Sequence, residues 1–116
     1  MAESFRELIV WQRSIELSLA VYKLTAEFPK EEMYGLTSQM RRASVSIASN
    51  IAEGYGRGAR GEYRQFLGIA RGSLLELQTQ LVIANELGYC ELTALQRVES
   101  LSDEVSRMLS AMLRKL

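Results

Sequence analysis

YGLTSQMRRASVSIASNIAEGYGR, residues 34–57, is the stretch whose reading decides the fold. Leu36, Met40, Ala43, Ile47 and Ile51 recur every three or four positions, the spacing of one helix face. Val45, Ala48 and Ala52 widen that apolar arc. Beside it runs an unbroken polar stripe of Gln39, Arg42, Ser46, Asn50, Glu53 and Arg57, stacked turn over turn on one side of the same helix. The pattern predicts a helix over 37–53, entered after Tyr34-Gly35 and stopped at Gly54 by a left-handed cap. Ala43, Ser44, Ser46, Ala48, Ser49 and Ala52 are small, so a neighbouring helix can approach closely.

Working outward, residues 8–26 carry two apolar rows on nearly opposite sides of a helix. Leu8, Trp11, Ile15, Leu19, Tyr22 and Ala26 form the row expected to face the core. Val10, Leu17, Val21, Leu24 and Phe28 form a second. One bundle interface needs a single stripe, so the second row implies a further burial surface. Pro29 ends this helix, because the residue before a proline is disfavoured in the α region. A polar connector over 29–35 follows, with room for one short helical turn.

Downstream, the glycine-rich joint 54–61 contains GYGRG. A phosphate cradle would need a preceding strand and a following Lys-Ser/Thr pair, and neither is present, so a helix cap and loop is the better reading. A third helix is predicted over 62–87, with Tyr63, Phe66, Leu67, Ala70, Leu74, Leu77, Leu81 and Ala84 as its core row and Gly88 as its stop. Gly68 and Gly72 lie inside it, each costing about 1 kcal/mol relative to alanine, tolerable if another helix packs close there. Arg60, Arg64, Arg71 and Gln78 follow one flank. A fourth helix is predicted over 92–116, with Leu95, Val98, Val105, Leu109, Met112 and Leu116 inward and Ala94, Leu101 and Met108 extending the arc sideways. Four long helices on short links read as an all-α, antiparallel up-down-up-down four-helix bundle forming one domain over 1–116. Aligned outer apolar rows predict self-association, with Val10, Leu17, Val21, Leu24, Leu101 and Met108 as the expected interface.

Composition narrows the chemistry. The chain has 116 residues, no histidine and one cysteine, Cys90. The commonest general base and metal ligand is therefore missing, and a lone cysteine builds neither a disulfide nor a structural zinc site. No Gly-x-Ser-x-Gly elbow occurs, and no Glu-x-x-His pattern for a di-iron bundle. An enzyme, a metal site or a cofactor is not expected. The first residues, MAESFRELIVWQ, lack the apolar run of a signal peptide, and no stretch approaches the ~18 apolar residues of a membrane span, so the expected setting is the cytoplasm.

The formal net charge is zero, which argues against a generic polyanion binder, yet the charge is uneven. Residues 41–71 hold six arginines against two acids, leaving the rest of the chain acidic. Arg57, Arg60, Arg64 and Arg71 are the candidate nucleic-acid contacts, since guanidinium groups bind phosphates bidentately. The alternative is solvated or ion-paired helix arginines. For Gln39, Arg42, Ser46, Asn50 and Glu53 the expected role is architectural. Arg42 can reach Ser46, Glu53 can pair with Arg57, and Asn50 can bond between helices.

The chain also resembles a known family. The resemblance runs through Phe5, Leu8 and Val10-Trp11-Gln12, on through Phe28-Pro29, and peaks at Tyr34-Gly35-Leu36-Thr37-Ser38-Gln39 with Arg41-Arg42-Ala43. Asn50-Ile51-Ala52-Glu53-Gly54, Phe66-Leu67, Gly72-Ser73-Leu74 and Leu87-Gly88-Tyr89 complete it. These residues resemble the four-helix-bundle proteins encoded in intervening sequences of bacterial 23S ribosomal RNA genes. The resemblance implies an antiparallel bundle assembling as a ring-shaped homopentamer, with no established enzyme activity. It is similar also to accessory proteins of diversity-generating retroelements, which bind nucleic acid and a reverse transcriptase. RNA or DNA is accordingly an expected partner beside a second copy of the chain. Those relatives are markedly basic, whereas this chain is neutral.

Overall fold

The structure, a computed structural model, describes residues 4–116. Four helices form an elongated bundle of 43 × 24 × 21 Å. They are α1 (Ile9–Thr25), α2 (Leu36–Gly56), α3 (Arg60–Glu86) and α4 (Leu92–Lys115). Single 3₁₀ turns precede α1 (Phe5–Glu7) and α2 (Lys30–Glu32), the second within the expected connector. Cross-links fix the directions. Ser18 of α1 meets Ser44 of α2, and Arg41 of α2 reaches Thr25 of α1, so these helices run antiparallel. Ser46 of α2 meets Ser73 of α3 while Gly54 lies against Tyr63 and Phe66, again antiparallel. Gln78 donates to Ser102 and Arg64 to Leu113 between α3 and α4. Arg13 to Glu104 and Arg97 to Glu16 join α4 back to α1. The topology is up-down-up-down, with α1 and α3 parallel on opposite corners.

Glutamates cap the starts of α2 and α4. Glu91 caps α4, its Oε2 accepting the Ala94 N–H at 2.7 Å. Glu32 accepts the Leu36 N–H with one carboxylate oxygen and the Tyr89 hydroxyl with the other, both at 3.0 Å, tying the start of α2 to the α3–α4 turn. Those bonds supply orphan donors of the first helical turns. Gly88, at φ +80°, ends α3 as the spacing predicts.

Gly54 is a correction. It does not stop α2, which continues to Gly56; the left-handed residue of the joint is Gly58, at φ +74°. Gly54 is buried in the helix because a Cβ there would stand 2.7 Å from the Phe66 Cβ. The glycine is required by close helix approach rather than by a turn.

The core corrects the reading of α1. Val10, Leu17, Val21 and Leu24, expected at an oligomer interface, are inside the bundle with Phe28. Leu101 is buried there too, and Met108 is half-buried against the same core. The row expected inside turns outward: Leu19 and Tyr22 are exposed, Trp11 and Ile15 half-buried. The inner face of α1 carries Ser14 and Ser18 between its larger side chains. Small residues there let α1 settle against α2 at the Ser18–Ser44 contact, 3.1 Å. The core rows of α2, α3 and α4 lie largely as their spacing predicts, with Met40, Ile47, Ile51, Leu67, Leu74, Leu77, Val98, Val105 and Leu109 all buried.

Candidate functional site

Three surface features collect the residues with functional potential: the α2/α3 polar groove, a basic groove between α3 and α4, and an apolar face on α3.

The polar stripe of α2 lies along the α2/α3 groove. Ser46 and Ser73 share a hydrogen bond at 3.0 Å across it. Asn50 lies one turn further on and donates to the Ser46 carbonyl (2.8 Å) and hydroxyl (3.0 Å). Glu53 pairs with Arg57 at 3.1 Å, and Arg57 also approaches Glu62 and sits over the Phe66 ring. Ser46 and Arg57 therefore reach α3, through Ser73 and through Glu62 and Phe66, whereas Asn50 bonds within α2 rather than between helices as expected, and Glu53 pairs only with Arg57. Gln39 and Arg42 line the same groove with Glu76, but they are exposed and their side chains make no hydrogen bond or ion pair among the described residues, so Arg42 does not reach Ser46.

The candidate phosphate-binding arginines divide into two kinds. Arg57 is engaged as above. Arg60 donates to the Lys115 carbonyl at 2.7 Å and the Leu116 carbonyl at 3.4 Å, and Arg64 to the Leu113 carbonyl at 2.7 Å. Both thus cap the last turn of α4, whose carbonyls have no partner within the helix. Arg71 makes no such bond. With Arg64, Ser110, Leu113 and Arg114 it lines a shallow α3/α4 groove. Arg114 and the nearby Arg107 were not singled out from sequence. Both stand on α4, two turns apart and far from the arginine-rich centre of the chain, and only the antiparallel packing brings Arg114 to the groove of Arg71.

The apolar face belongs to α3. Leu75 (55% exposed) and Val82 (62%) project from it, with Ile69 and Ile83 on the flank toward α2. Gly68, Gly72 and Thr79 run between these flanks by helical spacing, and nothing lies within 4 Å of a Cβ placed at either glycine. The helix expected to pack on Gly68 and Gly72 is not found among the described residues. Sequence reading passed over the face because the core row of α3 is so continuous. Its trace was the heptad spacing of Gly68, Leu75 and Val82.

Among the described residues no group of His, Cys, Asp or Glu could hold a metal ion, and no helix is long and apolar enough to cross a membrane. Burial, with Glu99 adding to it, raises the Cys90 thiol pKa above its usual value, which disfavours a reactive thiolate.

No curated protein matches the chain. Among solved structures it is similar to a protein of unknown function from the S23 ribosomal protein family of Bacteroides thetaiotaomicron, determined by crystallography. The two share 20% identity over 91% of this chain and 96% of that one, with a TM-score of 0.82, a likeness of fold. The sequence model of the 23S rRNA-intervening sequence protein family matches residues 6–111, and the chain belongs to that family.

Proposed function

We propose that this protein is a self-associating helical-bundle interaction module, with no catalytic role, that works as a homo-oligomer in the cytoplasm. One observation carries the reading: Ile69, Leu75, Val82 and Ile83 are each about half exposed on a single helix face that no other described part of the chain covers. Singly exposed apolar residues are ordinary, but a contiguous apolar face marks an interaction surface. A second copy is the simplest occupant, and the family resemblance puts the number at five. Light scattering on the purified protein tests this. A mass several times the 13.1 kDa of one chain is expected, and a monomer at micromolar concentration refutes it.

A second reading is favoured by the α3/α4 groove. Arg71 and Arg114 are exposed there, Arg107 is exposed two turns before Arg114 on the same side of α4, and none of the three forms an ion pair among the described residues. Such a groove suits the phosphate backbone of RNA or DNA without base readout, and repetition around an oligomer would add avidity. Filter binding at two salt concentrations tests it. Affinity that falls steeply with salt, and is lost when Arg71, Arg107 and Arg114 become alanine, is the expected result.

A further inference from the structure

We propose that the groove between the end of α1 and the start of α2 binds a small phosphate monoester, a phosphoryl group carried on an apolar body. The groove lies apart from the α3 face and from the α3/α4 arginines. One copy of the chain builds it, so the proposal goes beyond the self-association reading and does not depend on it. Its walls come from the last turns of α1, the 3₁₀ turn at Lys30–Glu32 and the first two turns of α2. Three cations line it, Lys30, Arg41 and Arg42, and no carboxylate does. None of the three forms an ion pair among the described residues. Of the acids nearest in sequence, Glu32 spends its oxygens on the Leu36 N–H and the Tyr89 hydroxyl, and Glu27 and Glu31 do not line the groove.

Arg41 is held in place by neutral groups. Its Nε donates to the Thr25 hydroxyl at 2.8 Å, its Nη2 donates to the Tyr22 carbonyl at 3.4 Å, and its guanidinium lies over the Tyr22 ring, 4.6 Å from the centroid. The Thr25 hydroxyl is itself buried and fixed, donating to the Val21 carbonyl at 2.8 Å. Of the five N–H donors of a guanidinium, these bonds use two and leave the whole Nη1 edge free. A charge taken partly out of water ordinarily finds a carboxylate; this one is half-buried and oriented without being neutralised. Thr37 gives a second, independent sign. It lines the groove and is only 8% exposed, yet its hydroxyl makes no hydrogen bond among the described residues and is not sealed from solvent, so it opens on the groove. A hydroxyl at that depth is expected to have a partner. Ser38 beside it adds another unbonded hydroxyl. Every unused polar side chain of the groove can therefore donate, and three carry positive charge. That set fits an oxyanion, and three charges favour the dianion of a phosphate monoester over a carboxylate. Phe28, Pro29 and Met33 supply an apolar wall, with Met33 more than half exposed. The groove has a volume of about 480 Å³, within the range of small-molecule sites, so bare phosphate leaves most of it empty and a ligand with an apolar body fills it.

Titration of the full chain with phenyl phosphate, followed by amide chemical shifts, tests this. Saturable binding is expected, with shifts centred on Thr37, Ser38 and Arg41. Inorganic phosphate, which lacks the body, and benzoate, which carries a single charge, should each bind less tightly. Arg41→Gln and Thr37→Val should each weaken phenyl phosphate about tenfold or more, the worth of one hydrogen bond to a charged group. Lys30→Gln and Arg42→Gln stand at exposed positions and keep the test sound if Arg41→Gln disturbs the fold; both should weaken binding too. No saturable binding at millimolar phenyl phosphate overturns the proposal. So does inorganic phosphate or benzoate binding as tightly, or an affinity unchanged in Thr37→Val and Arg42→Gln. RNA without terminal phosphates that displaces phenyl phosphate from the groove also overturns it, since the groove would then be holding a nucleic-acid backbone.

Discussion

Val21 and Leu19 are two positions apart in sequence and on opposite sides of α1: Val21 has no exposed surface, Leu19 is 66% exposed. A glutamate at the first must either bury a charge without a partner or take up a proton, at a cost of several kcal/mol against a typical total stability of ~5–15 kcal/mol. Val21→Glu should therefore lose cooperative melting and far-UV helical signal, while Leu19→Glu should keep both; circular dichroism melts of the pair check this. Leu17→Ala, which deletes a fully buried side chain, should cost about 2–5 kcal/mol by denaturant titration. Glu91 adds a pH dependence. Its carboxylate accepts the Ala94 and Thr93 backbone N–H groups, so its folded pKa lies below the usual 4.5. The unfolded chain then takes up the proton more readily, and stability falls as pH drops from about 4.5 through the folded pKa. In Glu91→Ala that part of the acid-side loss should disappear, which melts between pH 6 and about 3 would reveal.

At the scale of the element, helices were legible where one apolar row was clearly stronger than any other. The core rows of α2, α3 and α4 follow directly from spacing. On α1 spacing could not choose. Val10, Leu17 and Leu24 repeat every seven residues, and so do Leu8, Ile15 and Tyr22. Both rows fit a helix-packing period equally, so the side facing the bundle is fixed by tertiary fit. The deciding signal is small: Ser14 and Ser18 on the inner side permit close packing, and a hydrophobicity count treats them as polar. The α2 stripe was legible as a ridge, but its links to α3 depend on which residue of α3 stands opposite, as Ser73 does for Ser46. Glycines separate the two kinds of helix surface. At Gly54 alanine would meet the Phe66 Cβ at 2.7 Å, so α2 and α3 must part and Gly54→Ala should destabilise despite better helix propensity. At Gly68 and Gly72 the space is open, and alanine at each should raise the stability of a variant made monomeric by Leu75→Glu on the α3 face by up to about 1 kcal/mol. In the parent background the same substitutions fill the space between the flanks of the α3 face and should weaken the proposed self-association. Melts of the first and light scattering of the second measure the two effects.

Over the whole molecule, a chain of zero net charge is electrically two-ended. Arg57, Arg60, Arg64, Arg107, Arg114 and Lys115 gather, with Glu53 and Glu62, toward the end where α3 begins and α4 ends; Glu27, Glu31, Glu32, Glu86, Glu91 and Glu99 gather toward the opposite end, against Lys23, Lys30, Arg41, Arg42 and Arg97. The sequence showed the imbalance as an arginine-rich centre but could not show that α4 adds three cations to the same end. The arrangement gives the two proposed activities opposite responses to salt. In the proposed homo-oligomer, copies standing side by side with parallel axes would set basic end beside basic end and acidic beside acidic, so that their long-range charges repel while apolar faces hold them together. Repulsion across exposed ends fades within a Debye length, about 10 Å at 0.1 M salt and about 3 Å at 1 M. Raising salt should therefore leave the assembly intact or tighten it. Nucleic-acid binding at the basic end should weaken over the same range, because each phosphate contact made at low salt releases counterions. Sedimentation with and without a structured RNA, across that range, separates the two. An assembly that dissociates as salt rises would mean that the ends attract one another, basic on acidic, and that the copies stack end to end rather than flank to flank.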